Sequence, residues 1–146
     1  MKHIILQLNE AIDRLLNTNL ESLNWGYKPA PEKWSKKEII GHLIDSAQIN
    51  LQRFVRCTYE ENFKLTYEQV EWVQAQHYQE TDIRDLVALW ELLNLQIIRV
   101  LKNYLPNRLQ AKCDNSKITL SLHTVEWLAQ DYVDHLNHHL KQISQS

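Results

Sequence analysis

Three imidazoles fall within five residues near the C-terminus, His135, His138 and His139 in "DHLNHHLKQI". A neutral imidazole offers one lone pair to a divalent transition metal, and two rings one helical turn apart offer two lone pairs to the same ion. On a helix at 100° per residue, His135 and His139 form such a pair, at the edge of an apolar stripe through Leu128, Tyr132 and Leu136. Their Cβ atoms are then about 6 Å apart. His138 projects about 100° from His139, toward the polar side, and is not expected to be a ligand. In a chain with seven histidines, chance alone supplies about 0.3 His-x-x-x-His pairs. The pair by itself is half a metal site, or simply polar residues on a wet helix.

A third ligand decides between these readings, and His42 is the best candidate. It lies about two turns past a strong helix start, while His139 lies about one turn before a helix end. If the two helices pack antiparallel, all three rings reach one level of the fold. The helical wheel counts against it: His42 shares a face with Glu38, Asp45, Ser46 and Arg53, away from the main apolar stripe. Periodicity alone therefore favours a solvated histidine. His3, His77 and His123 have no partner at ligand spacing and read as surface or capping residues. Because a free imidazole titrates near 6.5, metal binding to such rings is expected to fade below about pH 6.5.

The elements that must carry these rings are helical. Only two glycines and three prolines punctuate 146 residues, and β-branched residues do not alternate in short runs. The first helix is expected over about residues 3–17, with Ile5, Leu8, Ile12, Leu15 and Leu16 inward. "NWGYKPAPEKW" interrupts it. In "WSKKEI", Ser35 as N-cap and Glu38 three residues on form a capping box, with Trp34 and Ile39 at the staple positions. The second helix then buries Ile40, Leu43, Ile44, Ala47, Leu51 and Phe54. "TYEQVEWVQAQHY" reads as a shorter helix, with Thr66 and Gln69 as a weaker capping pair. A long helix from Thr81 or Asp82 turns Leu86, Leu89, Trp90, Leu93, Ile97, Val100, Leu101 and Tyr104 inward and ends before Pro106. The last helix is expected from about Leu120 to Ile143, with Val125, Leu128, Ala129, Tyr132, Leu136, Leu140 and Ile143 buried. Connections of about 15 residues before the second and last helices are too long for hairpins and imply at least one crossover. The fold class is all-α: a four-helix bundle with long crossover connections and a short extra helix, in one domain over residues 1–146.

Sixteen basic and eighteen acidic residues leave no electrostatic case for nucleic acid as a partner. No apolar run approaches a membrane span of about 18 residues, so no membrane partner is expected. The N-terminal segment reads as an amphipathic helix and not a signal peptide. Cys57 and Cys113, without CxxC spacing, read as buried or free thiols of a cytoplasmic protein.

"WSKKEIIGHLIDSAQINLQRFVR" resembles the second helix of the DinB/YfiT-like superfamily of small bacterial metal-binding bundles, and "DYVDHLNHHLKQI" is similar to its closing H-x-x-H-H helix. The intervening "YEQVEWVQAQHY" and the Leu-rich helix follow in the family's order. The resemblance implies a metal site on His42, His135 and His139, with His42 facing a polar cleft, and it implies a homodimer. It also implies a divalent metal cofactor, zinc, nickel or similar, with open coordination positions. The metal would activate water or a low-molecular-weight thiol cofactor for transfer or hydrolysis on a small electrophilic substrate. The alternative is a non-catalytic metal-binding or dimerising bundle. Five tryptophans suit a cleft or a dimer seam in either case. Asp131, one turn before His135, reads either as an acceptor orienting that ring or as a surface carboxylate. No general base stands out.

Overall fold

The computed structural model describes residues 1–145. Four long helices, α1 (Lys2–Leu16), α2 (Lys36–Arg56), α4 (Ile83–Lys102) and α5 (Val125–Ser144), enclose the core, with a short α3 (Gln69–Ala75) between α2 and α4. Both α1 and α2 pack against α4 and α5, so α1 and α2 stand at opposite corners of the bundle. The chain must therefore cross a diagonal between α1 and α2 and again between α4 and α5, which is why those connections are long.

Ser35 starts α2 as its sequence indicates. Its hydroxyl accepts from the Glu38 amide at 3.1 Å, and Glu38 Oε1 accepts from the Ser35 amide at 3.0 Å. The first crossover is fastened just ahead of it. Trp25 is buried, its indole donates to Leu20 O at 2.6 Å, and its carbonyl accepts from the Lys37 amide at 3.0 Å. Asp82 caps α4 by accepting from the Arg84 amide. Burial of Ile40, Leu43, Ile44, Ala47 and Phe54 on α2 against Trp90, Ile97 and Leu101 on α4 forms the centre of the core.

Several expectations need correction. The α1 stripe is Ile4, Leu8, Ala11, Ile12 and Leu15, while Leu16 is exposed. On α4, Leu89 is exposed, whereas Asn94 is fully buried: it donates to Trp90 O and accepts from Tyr132 Oη at 2.5 Å. Helix α3 is preceded by Glu68 with no side-chain cap, so the Thr66–Gln69 pair does not operate. The last helix begins at Val125 and not near Leu120, with Thr124 as its cap. Residues Leu122–Thr124 instead form β3, antiparallel to β2 (Lys112–Asp114), and β2 runs parallel to β1 (Phe63–Lys64). Strands of two or three residues carry no readable alternation. A buried Asp114, accepting from the Ser116 and Ser121 amides, closes the turn between β2 and β3.

The segment from Leu65 to Thr81 is a strap across α2. Arg53 donates to Leu65 O from Nε and Nη2, at 3.1 and 2.6 Å. The buried Asp45 Oδ1 accepts from Tyr78 Oη at 2.5 Å and from Gln76 Nε2 at 2.6 Å. Tyr78 lies against Gly41, where any β-carbon would strike its ring. The Ser35 hydroxyl donates to Gln79 Oε1, and Lys37 Nζ donates to Gln79 O. These ties cover the polar face of α2, which is why 12 of its 21 residues, on both faces, are buried.

Candidate metal centre

Helix α2 brings His42 into the bundle seven residues into its length, and α5 brings His135 and His139 to meet it. His42 on α2 meets His135 and His139 on α5, and Arg53, three turns further along α2, has Asp131, one turn earlier on α5, as its charged neighbour, so the two helices are antiparallel neighbours. His42 is buried and His135 and His139 are half-buried. His135 Nε2 lies 3.2 Å from His42 Nε2 and 3.1 Å from His139 Nε2. One ligand atom from each of the three rings lies within 4.8 Å of the others. The rings meet edge to face, with centroids 4.5–5.0 Å apart.

Proton bookkeeping shows why this arrangement is unusual for three bare histidines. His139 Nδ1 lies 2.8 Å from Gln142 Oε1, and with that oxygen as acceptor the His139 proton belongs on Nδ1, which makes Nε2 a lone pair. If His135 Nε2 carries a hydrogen, that hydrogen serves only one of its two close neighbours. If it is bare, it faces the His139 lone pair at 3.1 Å. No set of single protons satisfies both contacts with ordinary hydrogen bonds. One cation accepting three lone pairs does. Two imidazole nitrogens about 2.05 Å from an ion at a tetrahedral angle are about 3.3 Å apart, close to the 3.2 and 3.1 Å that separate His135 from His42 and His139. The donor set is therefore one that a divalent ion fits.

Electrostatics keep these lone pairs free. Burial pushes the His42 imidazole down to about 3, with His135 and His139 adding repulsion. Burial likewise lowers His135 to about 4, with His139 and His138 next in effect, and lowers His139 against the opposing Gln142 hydrogen bond. Protons therefore compete for these lone pairs below the free-imidazole value of about 6.5.

The other sequence candidates separate cleanly. His138 is exposed, accepts from Gln142 Nε2 at 3.4 Å and sits with its ring 5.3 Å from that of His139, outside the group of three converging ligand atoms. Asp131 is exposed and makes no hydrogen bond to His135 among the described residues; it stands at the rim of a neighbouring cavity. His123 stacks on Trp127 and bonds Ser121 Oγ. Cys57 and Cys113 are buried free thiols. Sequence reasoning missed Gln142, although its spacing three residues past His139 was a usable signal. It also read Trp34 only as a staple, yet the Trp34 ring lies 4.9 Å from the His42 ring and walls the site.

Two cavities adjoin the rings. A shallow cleft of about 770 Å³ is lined by His139 and Gln142 together with Trp34, Ile39, Gln69 and Val70. A narrower cavity of about 140 Å³ lies behind, between α2 and α5, lined by His42 and His135 and reaching Arg53. Gln69, at the start of α3, borders both. The larger volume falls in the range of small-molecule sites.

Comparison with known proteins agrees with this architecture. No curated protein matches the chain. YfiT from Bacillus subtilis, described as a probable metal-dependent hydrolase with an unusual four-helix bundle topology, superposes with a TM-score of 0.81 at 18% identity, over 98% of this chain and 81% of YfiT. A DinB-like protein from the same organism, YjoA, superposes with a TM-score of 0.58 at 18% identity, over 97% of this chain and 85% of YjoA. At these identities the likeness bears on the fold. Residues 7–143, from within α1 to the last turn of α5 and including all three clustered rings, match the DinB superfamily, and the chain belongs to that superfamily.

Proposed function

We propose that His42, His135 and His139 bind one divalent metal ion through Nε2, and that the protein is a metal-dependent enzyme acting on a small electrophilic substrate. The observation that carries this reading is the convergence of three rings whose contacts no assignment of one proton per ring satisfies. Imidazole donors suit zinc, nickel and their neighbours among the transition metals. Three protein ligands leave coordination positions for water or substrate, and such an ion supplies an activated water or stabilises a thiolate nucleophile from a small thiol cofactor. Around it the chain's own groups have defined tasks. Gln142 holds the His139 proton on Nδ1 and so presents Nε2. Trp34 and Ile39 line the adjoining cleft and would exclude water from one side of a bound substrate. The description of YfiT as a probable metal-dependent hydrolase supports hydrolysis as the first reaction to test.

The test is metal content of the purified protein and of four variants, with circular dichroism as the folding control. His42→Ala, His135→Ala and His139→Ala should each lose most bound metal, and His138→Ala should keep it. Retention by the first three would refute the ligand set, and loss by His138→Ala alone would put the ligands on the wrong face of α5. Hydrolysis and thiol-transfer assays of the metal-loaded protein then assign the reaction. We also propose a two-fold homodimer, an assembly the family resemblance implies. Sedimentation giving a monomer of 17.4 kDa at micromolar concentration would refute it.

A further inference from the structure

The narrow cavity behind the three rings ends in a charge that the metal reading does not use. Arg53 is 7% exposed, on the same face of α2 as His42, Ser46 and Asn50. Its contacts are to neutral acceptors: Nε and Nη2 donate to Leu65 O, and Nη1 donates to Asn50 Oδ1 at 3.3 Å. Among the described residues no carboxylate stands within ion-pairing distance of it; the four ion pairs are all elsewhere. Its ionisable neighbours are the Cys113 and Tyr67 side chains, both neutral at pH 7 and pushed further up by burial, and Asp131, an exposed carboxylate that lines the same cavity without pairing with it. A guanidinium has five N–H groups, and the three hydrogen bonds leave a donor on each terminal nitrogen. A buried cation without a directly paired anion is costly, and an anion that pairs with it offsets the cost. A planar guanidinium matches a carboxylate with two parallel hydrogen bonds.

We infer that Arg53 receives a carboxylate of the substrate, whose reacting end lies at the three histidines. This rests on the metal reading only for where the chemistry happens; the anion pocket itself does not need the metal. The helix rise separates the α-carbons of residues 42 and 53 by about 16 Å, and Arg53 reaches back one turn to Asn50, so the carboxylate and the reacting centre lie on the order of 10 Å apart. The substrate class is a small molecule with a carboxylate at one end and an electrophilic group at the other. Ser46, Asn50 and Tyr67 line the path between the two ends. Arg53 is thus a specificity residue, and its bonds to Leu65 O also hold the strap that forms one wall.

The experiment uses propionate and its neutral analogue propionamide as probes, titrated into the metal-free and metal-loaded full chain. The Arg53 Nε–H resonance is the direct readout. Propionate should shift it saturably in both forms, and propionamide should not. Arg53→Met should weaken propionate binding about tenfold or more, with the other cavity resonances as the readout, while Arg53→Lys, which keeps a charge, retains part of the preference. Equal responses to the two probes, or no response, would overturn the inference even if metal binds. So would propionate binding that needs metal and survives Arg53→Met, since the carboxylate would then be a metal ligand. Should both Arg53 variants fail to fold, the contrast between the two probes on the wild-type chain still decides. Loss of the metal reading through the histidine variants would leave the propionate result standing on its own.

Discussion

Acidifying the metal-free protein should weaken the fold by an amount that the burial of its histidines sets. In the folded chain His42 titrates at about 3 and His135 at about 4, against about 6.5 for either ring in an unfolded chain. Both folded values lie below the unfolded one, so the neutral ring is the form the fold accepts. Above about 6.5 neither state takes up a proton there and stability is flat in pH. Below it the unfolded chain gains protons that the folded chain refuses, and stability falls until the folded values are reached. Between pH 7 and pH 5 each ring should cost about 2 kcal/mol, from roughly 1.5 pH units at 1.36 kcal/mol per unit. The pair together costs about 4 kcal/mol, and His139, lowered in the same sense, adds to it. Against a typical total of about 5–15 kcal/mol this is a large fraction. Urea unfolding at the two pH values measures it directly; with a slope of about 2 kcal/mol per molar, the midpoint should drop by about 2 M. A double variant, His42→Gln with His135→Gln, should lose much less on acidification. If the wild type loses under about 1 kcal/mol between pH 7 and 5, or the double variant loses as much as the wild type, the burial argument is wrong.

Three further outcomes follow from particular contacts. Gly41→Ala puts a methyl into the Tyr78 ring and should destabilise by about 1–3 kcal/mol, read as a lower urea midpoint; an unchanged midpoint would mean that the strap shifts freely. Ser35→Ala removes both the α2 cap and the Gln79 tie and should cost at least about 1 kcal/mol, more than a cap alone if the strap depends on it. Gln142→Leu removes the acceptor that orients His139 and should weaken metal affinity about 10–100-fold in a chelator competition, with the fold intact by circular dichroism; wild-type affinity would show that Gln142 does not position the ring.

What could be read from the sequence alone is what depends on near neighbours along the chain. The start of α2 was legible because a capping box is closed by residues three apart, Ser35 and Glu38. The His135–His139 pair was legible because one helical turn sets it, and His138 was excluded by the same geometry. The long connections pointed to crossovers because chain length limits what a loop can do. The start of α5 was not legible: residues 122–124 are held by pairing with β2, a contact between segments that local pattern does not encode. His42 was the sharpest case. The helical wheel placed it on a polar face, correctly, and a polar face of a helix ordinarily meets water. Here that face is covered by a strap fastened at Gly41, Asp45 and Arg53 and by α5, so its polar groups are buried against one another. Burial is a property of which segments meet in space, and that meeting lowers the His42 imidazole, brings three rings together and leaves Arg53 with neutral hydrogen-bond partners. Local chemistry chose the residues; only the packing of distant segments brought them together.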